Sequence, residues 1–213
     1  SGAVGGWKEL GRTTLGSAGD NITVSSLANK RYYMMLYDIT QVTANVQAGL
    51  EFNTDTGSNY ADRFSTDGAA DYTVAPGGYL VNWPDNAGKG FDTFGINNIS
   101  NLATKEKLVI NHLVTAGTAG AANAPYRQEG VGKWANTSNA INEIKLDNKN
   151  ASNTFDTGSE VVVLGWDPAD THTTNFWEEL ASANGTGATS FNSGVFTAKK
   201  YLWIQAYIDR SAG

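Results

Sequence analysis

The sequence predicts an all-β fold, and three observations lead there. Apolar residues recur with a period of two or in short unbroken runs, and no long 3.6-residue stripe occurs. Gly, Asn, Asp, Ser and Thr separate the runs, as turns require. The spacing of the runs suits a sandwich rather than β-α-β units. The expected architecture is therefore a β-sandwich, jelly-roll-like, with additional C-terminal strands. A chain of 213 residues, 24 of them Gly, has room for one large β domain or two small ones.

Taken in order, strands are expected at 7–12, 22–24 and 32–39, with a turn over 16–20. The stretch 32–39 (YYMMLYDI) is apolar on both alternating sets, so it reads as buried on both faces. Segment 44–53 alternates: Val46, Ala48, Leu50 and Phe52 share one face, and Gln47 and Glu51 share the other. That is the pattern of a half-exposed antiparallel strand. Further strands are expected at 58–64, 70–74, 78–83, 91–98, 106–114, 126–133, 141–147 and 159–166. Segment 116–125 (AGTAGAANAP) reads as a surface loop. Segment 173–182 admits a short helix, although a strand is the favoured reading.

An internal echo bears on domain organisation. Trp7-Lys8-Glu9-Leu10 matches Trp177-Glu178-Glu179-Leu180 at an offset of 170, and the stretch Lys30 to Ile39 matches Lys199 to Ile208 at an offset of 169. Convergence of two hairpins is one explanation. The other is a full unit over 1–168, followed over 169–213 by a linker and partial repeat strands. So short a repeat buries no face by itself. It must pack on the unit or complete the sheet of a neighbouring subunit, through Trp177, Leu180, Tyr201, Trp203 and Tyr207. A homo-oligomer or a set of neighbouring structural subunits is the partner this implies.

Composition excludes several chemistries. With no Cys there is no disulfide, thiolate metal site or thiol nucleophile. His112 and His172 are the only histidines, so one chain cannot build a multi-histidine centre. Fifteen basic and 21 acidic residues give a formal charge of −6 without a basic stripe, which argues against a nucleic-acid binder. No apolar run approaches the ~20 residues of a membrane span. The chain starts on Ser1 without an initiator Met, as expected of a processed chain or a fragment.

The candidate sites are few. Asn53, Asp55, Asn59 and Asp62 carry oxygen side chains around Gly57, a spacing that resembles a calcium loop. The acid expected at the twelfth position is missing, since Phe64 stands there, and a polar hairpin loop between two strands is the favoured reading of the stretch. No cofactor is called for beyond that possible calcium. Asp167, Asp170 and His172 offer a mixed ligand set, or simply a linker. Asp62, Asp67, Glu106 and Glu129 are the carboxylates from which a glycosidase pair would be drawn, but nothing sets two face to face. His112 alternates with Leu108 and Ile110 and reads as a packed or rim residue. No catalytic set emerges, and the chain is expected not to be an enzyme. Trp83, Trp134 and Trp166 lie near turns, where exposed indoles would stack on sugar rings.

Four stretches resemble a group of uncharacterised environmental and viral β-rich proteins that look like virion or tail-associated components. They are Glu9-Leu10-Gly11-Arg12-Thr13-Thr14-Leu15, Phe52-Asn53 through Asn59-Tyr60, Lys105-Glu106-Lys107-Leu108-Val109-Ile110, and Val131-Gly132-Lys133-Trp134-Ala135-Asn136-Thr137-Ser138. The resemblance implies a β-sandwich used in tandem or in an assembly, located in a virion or at a cell surface, and carries over no catalytic residue. The expected function is a structural subunit of a viral or extracellular assembly. A carbohydrate-binding or adhesive module, calcium-supported or not, is the alternative.

Overall fold

A computed structural model describes residues 6–40, 46–83, 92–150, 153–167, 180, 181, 183 and 190–204. The chain divides into two units, 1–176 and 177–213. Among the described residues the first holds twelve strands: β1 (Lys8–Thr14), β2 (Asn21–Val24), β3 (Tyr32–Ile39), β4 (Ala48–Phe52), β5 (Tyr60–Thr66), β6 (Tyr72–Gly77), β7 (Leu80–Val81), β8 (Thr93–Ser100), β9 (Lys107–Thr115), β10 (Tyr126–Trp134), β11 (Ile144–Asn148) and β12 (Glu160–Trp166). Each has its counterpart among the strands expected from periodicity, with ends displaced by a few residues.

The strands form two antiparallel sheets, one of eight in the order β1-β12-β3-β8-β9-β10-β5-β6 and one of four in the order β2-β11-β4-β7. Four pairings are nested: β4 with β7 innermost, then β3 with β8, β2 with β11, and β1 with β12. They fall alternately in the two sheets. The hairpins β5–β6 and β9–β10 lie outside this nest and lengthen the larger sheet.

The two sheets pack as a sandwich around one apolar core. The larger contributes Tyr33, Met35, Tyr37, Ile39, Val161 and Val163, and the smaller contributes Ile22, Leu50, Phe52, Ile144 and Leu146. Tyr33 ties its hydroxyl to the carbonyl of Ile141 at 2.9 Å, so the phenol enters the core with its donor satisfied. β3 is buried throughout on its core face, but on the opposite face only Leu36 is buried, beside Val162 of β12, while Tyr32, Met34 and Asp38 are half-buried, so the expectation of burial on both faces holds in part.

Strand β4 corrects an expectation. Its polar face is covered as well as its apolar one: Glu51 is only 1% exposed. Lys145 and Lys149 lie over it, and Gly49 leaves space for the Lys149 stem and the Tyr79 ring. Two lysines close on the carboxylate, so a charged residue sits under cover rather than in water.

The additional C-terminal strands are not seen among the described residues. In the second unit, residues 190–204 form no strand, because a segment becomes one only when a neighbour completes its backbone ladder. What is visible is an Asx-type turn, in which Gly194 donates its N–H to Asn192 Oδ1 at 2.8 Å. Gly194 takes a φ of 74°, open to glycine without strain. The helix-or-strand segment 173–182 falls almost wholly outside the described residues.

Candidate functional site

The loop between β4 and β5 was the calcium candidate, and its four residues do not turn toward one centre. Asn53 uses its amide to staple the loop to the 140–143 segment, donating to the carbonyl of Ala140 at 2.8 Å and accepting from the N–H of Asn142 at 2.8 Å. Asp55 accepts from Trp134 Nε1 at 2.7 Å, from the N–H of Gly57 at 2.9 Å and from Asn59 Nδ2 at 3.0 Å. Burial pushes the Asp55 carboxyl up, but these donors outweigh it and hold the group below its ordinary range. Asp62 faces the sandwich interior, where it accepts the N–H of Val81 at 2.6 Å. Among the described residues no group of three acidic or histidine side chains gathers around a point.

Trp134 corrects the expectation that it lies exposed for a sugar. It is 1% exposed, closes the core against Phe52 and Tyr60, and donates its ring N–H to Asp55. Buried Lys107 places its ammonium 5.3 Å from the Trp134 ring centre and donates to the carbonyls of Ala103 and Asn136 at 3.1 and 2.7 Å. Burial pulls the Lys107 ammonium below its ordinary pKa. The indole therefore fastens the 53–60 loop and is a structural residue.

The other two tryptophans are half-buried and each lies against a tyrosine. Trp166 stacks on Tyr32 with ring centres 5.4 Å apart and planes 17° apart, and the Arg31 guanidinium lies 5.4 Å from the Tyr32 ring centre. Trp83 leans on Tyr79 at 5.8 Å, and Lys149 sits 4.9 Å from that tyrosine ring. Burial pushes the Lys149 ammonium down, yet bonds to Asp147 and Glu51 outweigh it and raise the group. The sequence did not reveal Tyr32 as the mate of Trp166, because the two are 134 positions apart and become cross-strand partners only through the β3–β12 pairing.

The carboxylates proposed for a glycosidase pair are each held by a different group. Asp62 binds the N–H of Val81, Asp67 accepts the N–H of Arg127 at 2.8 Å, Glu106 pairs with Lys133 at 2.9 Å, and Glu129 pairs with Arg127 and His112. The His112 expectation is corrected: the residue is neither packed nor at a rim but open, its Nε2 3.4 Å from Glu129. Hydrogen bonds from His112 and then Arg127 keep the Glu129 carboxyl below its usual range.

One arrangement was missed. The inner faces of β8, β9 and β10 bring together Asn97, Asn111 and Gln128, all buried. Asn82 Oδ1 accepts from Asn97 and Asn111 at 2.8 Å each and from the Tyr37 hydroxyl at 3.3 Å. Gln128 donates to the carbonyl of Val81 at 2.9 Å and to Asn111 Oδ1 at 3.2 Å. This network pins the 80–82 segment onto the larger sheet, and Gly132 makes the approach possible, since a Cβ there would meet Leu80 at 2.7 Å. The signal was present: Asn97 and Asn111 stand in strand alternation with Ile99 and with Val109 and Leu113.

Of the residues assigned to assembly, Trp177 and Tyr207 lie outside the described residues. Leu180 and Tyr201 are partly buried and Trp203 is exposed. Asp170 and His172 also lie outside the described residues, while Asp167 accepts the N–H of Arg31 at 3.2 Å. Among protein-family models, curated proteins and solved structures, none matches this chain.

Proposed function

We propose that this chain is a non-enzymatic structural subunit of a viral or extracellular assembly, and that its C-terminal unit completes a neighbouring copy. One observation carries the reading. At the echo's offset of 169, Phe191, Phe196, Leu202 and Ile204 correspond to Ile22, Leu27, Tyr33 and Met35. The four earlier residues line the sandwich core, at 0–5% exposure, whereas the four later ones are 37–86% exposed. Side chains of core type standing in water find cover in association. An extended segment gains its missing backbone partners by adding to the sheet of another copy.

The strand order supports a jelly roll as the frame. Setting aside the two hairpins, eight strands remain in four nested pairs, divided as β1-β12-β3-β8 and β2-β11-β4-β7. A long hairpin folded over on itself produces that order, and jelly rolls serve shell-forming and lectin proteins alike.

Sedimentation of the full chain tests the assembly. Association that grows with concentration, and is lost in Leu202→Asp and Ile204→Asp while the circular dichroism stays unchanged, is the expected result. A wild-type chain that remains monomeric up to its solubility limit would overturn the proposal.

The Tyr32–Trp166 stack favours a second reading, glycan binding, because a half-exposed aromatic pair beside Arg31 is a platform for a sugar ring. Glycan-array binding that falls at least tenfold in Trp166→Ala is expected on that reading. Equal binding by the two proteins would remove it.

A further inference from the structure

On the hairpin β9–β10 the usual polarity of a sandwich strand is mixed: polar side chains share the inward face with apolar ones, and large apolar side chains stand on the outward face. The inward positions mix Lys107, Asn111 and Gln128 with Val109, Leu113 and Trp134, all buried. The outward positions carry Leu108, Ile110 and Val131, which are 57%, 61% and 56% exposed, with Val114 farther along β9 beyond His112. Half-buried strands normally turn their apolar set to the core and their polar set to water. Here Asn111 and Gln128 are held by the Asn82 network and Lys107 by the carbonyls of Ala103 and Asn136, while Leu108, Ile110 and Val131 outside form a contiguous patch. Register makes it so, since Ile110 is the cross-strand partner of Val131, and Leu108 lies one step along the same face. A patch of this kind on an outward sheet face marks an interaction surface.

The charges around the patch identify the occupant. On β10 the outward residues run Glu129, Val131, Lys133, so an acid and a base flank the apolar centre on opposite sides. Glu129 stands with Arg127 and His112 on one side, and Lys133 stands with Glu106 on the other. Consider a two-fold axis along the Ile110–Val131 row. It lays Ile110 and Val131 on their own counterparts and reverses the strand direction. Glu129 then meets Lys133 of the second copy, and Lys133 meets its Glu129. The same axis brings Arg63, next along the row, to its own counterpart at the edge of the patch, a like-charge contact tolerable only if the long stems let both guanidinium groups turn to water. Isologous contacts require such self-complementarity.

We propose that the outward face of β8, β9 and β10 docks, antiparallel and two-fold, on the same face of a second copy of this chain. The inference rests on the reading that the chain assembles, and it adds a contact separate from residues 190–204. Two sheets meeting this way pack about 10 Å apart with side chains interdigitated. Leu108, Ile110 and Val131 thereby gain the burial that their own sandwich denies them.

A charge-exchange experiment on the full chain tests it, read by sedimentation velocity. In Glu129→Lys alone or Lys133→Glu alone, each dimer carries two like-charge contacts, and dimerisation weakens at least tenfold. An equimolar mixture of the two variants restores it, because every contact then pairs opposite charges. The double variant Glu129→Lys/Lys133→Glu restores it as well. Circular dichroism verifies that each variant is folded, as expected for exposed positions. Loss in both single variants without recovery on mixing would overturn the inference. So would association that the charge variants leave unchanged while Leu202→Asp abolishes it, a result that keeps the C-terminal contact and removes this one. Association lost in the charge variants but kept in Leu202→Asp would instead leave this face and overturn strand donation.

Discussion

Asp62 is a carboxyl on the core side of a strand, with one oxygen on the N–H of Val81 and the other without a hydrogen-bond partner. Burial raises its pKa above the ordinary 3.8, and the bond from Val81 only partly offsets this. A folded state that holds its proton more tightly than the unfolded chain gains stability below the unfolded pKa. It loses that gain as pH rises through the raised folded value. Asp55 works in the opposite sense, since its lowered pKa gives stability above 3.8 that is lost as pH falls. Asp62→Asn keeps the acceptor for Val81 and removes the charge. Urea unfolding from acid to neutral pH is expected to show it as stable as wild type or more so at neutral pH, with the acid-side gain gone. Asp62→Ala strands the Val81 N–H and costs about 1–3 kcal/mol. The burial of Trp134 was not legible, because Gly130 and Gly132 break the alternation that assigns a strand residue to a face.

Strands were legible in a way that their orientation was not. A period of two sorts residues into two faces but does not say which faces the core. On β9 the sorting of Leu108, Ile110 and His112 from Val109 and Leu113 was right, yet the core lies on the side of Asn111 and Lys107. On β4 the two faces were again sorted correctly, but long lysine stems cover the polar one. Glycine positions carry more than local sequence can tell. Gly95 is the cross-strand partner of Tyr37, and a Cβ built there would lie 2.0 Å from the tyrosine ring. Gly95 thus lets the phenol cross β8 to reach Asn82. Gly95→Ala is expected to displace the ring and break that bond, with a loss of about 1–3 kcal/mol in thermal or urea unfolding. Gly95→Ala in a Tyr37→Phe background is expected to cost less, because the hydroxyl contact is already gone. An equal loss in the two backgrounds would refute this role for the glycine.

At the scale of the molecule, the all-β class and the twelve strands between residues 8 and 166 followed from composition and periodicity, whereas sheet order did not. Local alternation holds no record of which strand pairs with which, and β1 and β12 lie at opposite ends of the sandwich sequence. The same limit kept Trp166 apart from Tyr32 and Trp134 apart from Asp55 until pairing joined them. The echo was legible because it is a property of the sequence itself. The nested pairing has a mechanical consequence. Lys8 is the cross-strand partner of Gly165, so the chain enters and leaves the sandwich at one corner, where β1 is the outermost strand of its sheet. Tension applied across those two points would not load the β1–β12 ladder in parallel. It would peel β1 away one hydrogen bond at a time, from Lys8 toward Thr14, and the sandwich would yield at low force from its outermost strand inward.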